Sequence, residues 1–138
     1  PSDLLEQVNE DVTFGFDWCY KSLTNLTYGR RFGEIVTLGA GVAVGKTDFI
    51  NTQIAFDIKQ GYKVGTFMLE QPSVQTLLRV AGKIDGVQYH IPNKTYDKEQ
   101  KNKTINELNG NLFMYNSFGS TDSAKVISTI KYMYHGCQ

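Results

Sequence analysis

Apolar positions along this chain fall into short blocks whose spacing switches between strand-like and helix-like. Glu34-Ile35-Val36-Thr37-Leu38 is a brief, β-branched apolar run and predicts a buried parallel strand. Ile50, Ile54 and Ile58 then recur at helical spacing, and Gly61 supplies the stop. Gly61-Tyr62 turns the chain into Lys63-Val64-Gly65-Thr66-Phe67-Met68-Leu69, a second predicted strand. Pro72-Ser73 opens the next helix, with Val74, Leu77, Leu78, Ala81 and Ile84 as its apolar face. Residues 86–110 are polar, and the lysine- and asparagine-rich stretch from Asn93 to Asn109 predicts a solvated loop and one exposed helix. Asn111-Leu112-Phe113-Met114-Tyr115-Asn116 is a third predicted strand. Thr121, Asp122 or Ser123 caps a last helix, whose apolar face is Val126, Ile127, Ile130 and Met133.

Ahead of these blocks, residues 1–30 form a mixed lead-in. A helical turn is expected around Leu4 to Val8, and a second helix up to about Leu26. The aromatics of Phe14-Gly15-Phe16-Asp17-Trp18 between them are expected to pack on the core. Gly29-Arg30-Arg31-Phe32-Gly33 is a turn into the first strand. Strands alternating with helices imply an α/β domain over residues 31–138, with a mainly parallel sheet and helices on both faces. Three strands make it a narrow sheet.

Composition narrows the possibilities. At 138 residues the chain can bury one core, and 41% apolar with 12% aromatic residues is ordinary for a folded domain. Fourteen basic residues balance fourteen acidic ones, so composition gives no ground for bulk attraction to nucleic acid or membrane, and any contact with DNA would be local or made by sequence outside this chain. No apolar run approaches the roughly 18 residues of a membrane span, and no signal-like start is present. Cys19 and Cys137 lie far apart, as do His90 and His135, without metal-ligand spacing. A reducing, intracellular setting is expected.

Between the first strand and the first long helix lies Ala40-Gly41-Val42-Ala43-Val44-Gly45-Lys46-Thr47. This fits a phosphate-binding loop with a small residue first, four free positions, then Gly-Lys-Thr. Small residues let backbone amides turn inward around a pyrophosphate. The lysine reaches the β- and γ-phosphates as a mobile charge, and the threonine hydroxyl ligates Mg²⁺. The flanking strand and helix put the phosphates at a helix N-terminus. Glu70 directly follows the second strand, at the edge where ligands sit in open α/β sheets. A carboxylate there can take a proton from an attacking water, or simply favour the next helix through its dipole.

Gly29 to Val36, the loop Ala40–Thr47 and Val64 to Glu70 together resemble the ATPase core of ring-shaped replicative DNA helicases. The resemblance is to phage primase-helicases, their mitochondrial relative Twinkle, and the bacterial DnaB-type enzymes, and it runs from about Gly29 to the C-terminus. It implies a RecA-like P-loop NTPase fold, with ATP or another NTP and Mg²⁺ as cofactors. It also implies Glu70 as catalytic base, Lys46 on phosphate and Thr47 on Mg²⁺. Single-stranded DNA, a homohexameric ring and replisome proteins would be the partners, with no membrane. The location would be the cytoplasm of a bacterial or phage-infected cell. In relatives an apolar strand ending in the Walker B aspartate follows the position of Gln138, then the γ-phosphate sensor, the arginine finger and the DNA-gripping loops. The chain is therefore expected to be the front half of such a domain, with an apolar edge left open. Nucleotide binding is expected to be weak and turnover negligible. Rival expectations are another RecA-like ATPase of recombinase type, a small-molecule P-loop kinase (for which 86–110 has few arginines to form a lid), and an inactive interaction fragment.

Overall fold

The computed structural model describes residues 13–115 and 122–137, and the chain divides into two compact units, Pro1–Leu38 and Gly39–Gln138. The expected helical turn at Leu4 to Val8, the cap candidate Thr121 and the strand-end Asn116 lie outside the described residues.

In the first unit, α1 spans Lys21–Thr27 and stops where Tyr28 and Gly29 take left-handed backbone, φ 58° and 86°. The chain then folds back, and Phe16 and Arg30 form an antiparallel bridge through amide–carbonyl bonds of 2.7 and 2.9 Å. A side chain at Gly15 would put its Cβ 2.3 Å from the Arg30 carbonyl oxygen, so the close approach needs glycine. The buried Thr24 accepts from the Trp18 amide, and Thr27 accepts from the Trp18 indole. The aromatics pack on one another and on Arg30: Phe14 against Tyr28, Phe16 against Phe32, and the Arg30 guanidinium over Trp18.

Glu34 to Leu38 is not a strand. Among the described residues no ladder pairs with it, and Ile35 is 96% exposed. β-branched composition makes a segment suitable for a sheet, but a strand exists only where a neighbour supplies its hydrogen bonds.

The second unit contains α2 (Lys46–Lys59), β1 (Val64–Phe67), α3 (Ser73–Asp85), α4 (Lys98–Leu108), β2 (Leu112–Tyr115) and α5 (Ser123–Cys137). β1 and β2 run parallel, with Val64 opposite Leu112 and Phe67 opposite Tyr115. The fold is thus α/β with a small two-stranded parallel sheet and five helices among the described residues. The core of Ile54, Ala55, Val80, Ala81, Tyr89, Leu108 and Leu112 gathers residues from α2, α3 and α4 with β2 and the turn after α3. Val64 packs toward this core, whereas Gly65 and Phe67 line a groove with Ile130, Met133 and Tyr134 of α5. Alternate β1 residues therefore meet helices on opposite sides, as period-two side chains must.

Two helices differ from their predicted faces. On α3 the fully buried residues are Thr76, Val80, Ala81 and Gly82, while Val74 is 66% exposed. Held between α2 and α4, the helix turns its small residues to the closest contacts, and Leu77, Leu78 and Ile84 fill the margins. α4 is not wholly exposed: Thr104 and Leu108, four apart, are buried. Its start is fixed by Asp97, whose carboxylate accepts from the Glu99 and Gln100 amides at 2.8 and 3.2 Å. At α5 Asp122 does the capping, accepting from the Ala124 amide through its carboxylate and from Val126 through its carbonyl. Among the described residues no helix is long and apolar enough to cross a membrane.

Candidate functional site

The segment Ala40 to Thr47 ends in the first turn of α2, and its shape is set by two left-handed residues. Ala43 has φ 60°, and Gly45, which precedes the helix, has φ 100° and ψ 19°. At Gly45 the conformation alone selects glycine, since no neighbouring atom would meet a Cβ. The Gly45 carbonyl accepts the first helical bond from the Phe49 amide at 2.9 Å. No side chain caps this helix end, so the first-turn amides keep their donor capacity and the positive end of the helix dipole stays uncovered.

Lys46 folds back over the turn. Its Nζ donates to the carbonyl oxygens of Ala40 and Gly41, at 3.0 Å each. The loop is therefore a ring closed by one ammonium group, with its residues exposed to solvent. Val42 and Val44 point outward and contribute no packing. Thr47 is the second residue of α2 and is also exposed.

Glu70 lies beyond β1 rather than directly on its end: the strand stops at Phe67, and Met68 and Leu69 lead into the exposed carboxylate. No hydrogen bond or ion pair joins Glu70 to Lys46 or Thr47 among the described residues. Topology nevertheless sets them at the same end of the unit. Only Gln60 to Lys63 separate α2 from β1, so the helix runs back along the strand and its N-terminus lies toward the strand's carboxyl end.

Beside this end is a cluster that no sequence motif marks. Asp48, in the first turn of α2, is ion-paired with Lys83 of α3 at 2.8 Å. Together with Arg79 and His90 they line a cavity of about 310 Å³. Arg79 Nε and His90 Nδ1 are buried without a hydrogen-bond partner. Burial, and next the Arg79 guanidinium, lower the His90 pKa from its usual value. Asp48 and His90 carry no motif in the sequence; Arg79 and Lys83 form an i, i+4 pair, and Arg79 lies on the helix after Glu70, where the sequence alone assigns it no role. Among the described residues no group of three His, Cys, Asp or Glu side chains could hold a metal ion.

No family model matches the chain, and no solved structure matches it. The chain is 27% identical over 128 residues to a protein of Enterobacteria phage T3 described as a DNA helicase/primase. That match covers 88% of this chain and 22% of the phage protein, so the chain spans about a fifth of its relative's length. The likeness supports a distant helicase/primase relationship.

Proposed function

We propose that this chain is the nucleotide-binding part of a replicative DNA helicase ATPase domain of RecA-like fold. In the whole protein it would work in a homohexameric ring that couples ATP hydrolysis to movement on single-stranded DNA. The observation that carries the reading is the Lys46 ammonium seated on the Ala40 and Gly41 carbonyls above an uncapped helix N-terminus. An exposed cation resting on two neutral acceptors is readily exchanged for a stronger anionic one. The distant likeness to a phage helicase/primase supports the same reading.

In this reading the triphosphate of ATP, or of another NTP, lies in the ring from Ala40 to Gly45. Lys46 leaves the carbonyls for the β- and γ-phosphates, and the α2 amides with their dipole hold the remaining oxygens. The exposed Thr47 hydroxyl would hold Mg²⁺, which would supply charge neutralisation on the phosphates. Glu70 would orient the attacking water and accept its proton. The chain's own contribution is a seat and a base at one end of the sheet.

The test is titration of the purified chain with ATP and Mg²⁺, followed by calorimetry. Lys46→Ala should weaken binding at least tenfold, while Glu70→Gln should bind as the parent does. Equal affinity in the parent and Lys46→Ala would remove the loop from the site and the reading with it.

A further inference from the structure

We propose that the cavity between the start of α2 and the end of α3 is a second anion site, which takes a phosphate group separate from any held by the loop. Its walls carry Arg79, Lys83 and His90 against one carboxylate, Asp48, and that carboxylate is already committed to Lys83 at 2.8 Å. The cavity thus keeps one surplus positive charge even with a neutral imidazole. Arg79 Nε and His90 Nδ1 lie buried with no hydrogen-bond partner. A buried donor without a partner is costly, by about 1–3 kcal/mol, and a guanidinium N–H left in that state is most strongly relieved by an anionic oxygen.

The C-terminal end of α3 would repel an anion through its free carbonyls, but the Gly82 carbonyl is occupied by the Gly86 and Val87 amides. Asp48 belongs to the first turn of α2, so that helix presents its positive end. At about 310 Å³ the space is at the small end of the roughly 300–1,000 Å³ typical of ligand pockets. It suits a phosphate with a sugar attached, and not an extended chain.

A phosphate there would act on His90. Burial first, and then Arg79, Lys83 and Lys94, disfavour its imidazolium, and Asp48 alone favours it. An added anion opposes those effects, so the His90 pKa rises as the site fills.

The phosphate could be free or could be the ribose phosphate of a nucleotide, and the two sources are separable. Inorganic phosphate is titrated by calorimetry into the full chain and into Lys46→Ala, Arg79→Gln and His90→Gln, each checked for folding by circular dichroism. Retained binding in Lys46→Ala with at least tenfold loss in Arg79→Gln and His90→Gln is the expected result. Loss in Lys46→Ala with no change in the other two would overturn the proposal, as would absence of phosphate binding. The His90 ring signals, followed by NMR in the unmutated chain, should titrate at higher pH with phosphate present; an unmoved midpoint also refutes the site. Adenosine 3′,5′-bisphosphate binding tenfold tighter than adenosine 5′-monophosphate, with the gain lost in Arg79→Gln, would assign the phosphate to a nucleotide. Equal affinities for the two, with inorganic phosphate still bound, would assign it to the free ion. Because Lys46→Ala is tested in parallel, failure of the loop reading and failure of this site give different patterns.

Discussion

At the level of single residues, the second unit depends on one carboxylate. Asp85 accepts from the Tyr89 hydroxyl at 2.6 Å, from Thr104 at 2.8 Å and from Gln100 at 3.2 Å, tying the end of α3 to the following turn and to α4. Tyr89 and Thr104 are buried, so Asp85→Ala leaves two hydroxyls without an acceptor. We expect it to lower stability by about 1–3 kcal/mol in urea unfolding, with an unchanged m-value. Burial, then the Asp85 hydrogen bond, push the Tyr89 phenol up to about 12. An unfolded tyrosine titrates near pH 10, so this contribution is whole below about pH 10 and is lost as pH rises from there toward 12. Ultraviolet titration should find one tyrosine ionising late, and Asp85→Asn should bring it earlier. Lys46 is legible in the sequence because its partners at 40 and 41 are close in the chain. Asp85 is not, since its partners at 89, 100 and 104 come together only after two helices have packed.

Among the elements of the second unit, α3 and the turn after it meet at a close backbone approach. A Cβ at Gly82 would lie 2.3 Å from the Val87 carbonyl oxygen, a backbone atom that cannot rotate away. Gly82→Ala should therefore cost about 1–3 kcal/mol or more, although alanine is the better helix former, and thermal unfolding would read it as a lowered midpoint. Gly86→Ala provides the comparison: it has open space but φ 71°, so its penalty is conformational alone. Helix starts and stops are legible in the sequence, because Gly61, Pro72 and the Asp122 cap act locally. The packed faces are less so. Large apolar residues point to Val74 and away from Thr76, Ala81 and Gly82, whose small size is what lets α2 and α4 approach. The segment Glu34 to Leu38 misleads for the opposite reason: its composition suits a strand, but pairing is a property of two segments.

For the whole molecule, the unpaired surface has consequences. Each strand of the sheet has a partner on one side only among the described residues. α5 rests on β1 through Met133 but leaves Ile127 and Ile130 55% and 51% exposed, beside a groove of about 350 Å³. With a net charge of zero, nothing in the bulk electrostatics keeps copies apart near neutral pH. An open strand edge next to exposed aliphatic side chains favours association of copies. Sedimentation equilibrium at rising concentration should therefore give an average mass above the 15.5 kDa of one chain. Adding charge at the patch, as in Ile130→Lys, should return it toward one chain without lowering the unfolding midpoint, since that side chain is half exposed already. A single mass at every concentration would mean that the edge and α5 are already protected. In that event the variant would change stability and not mass, which separates a covered surface from one that seeks a partner.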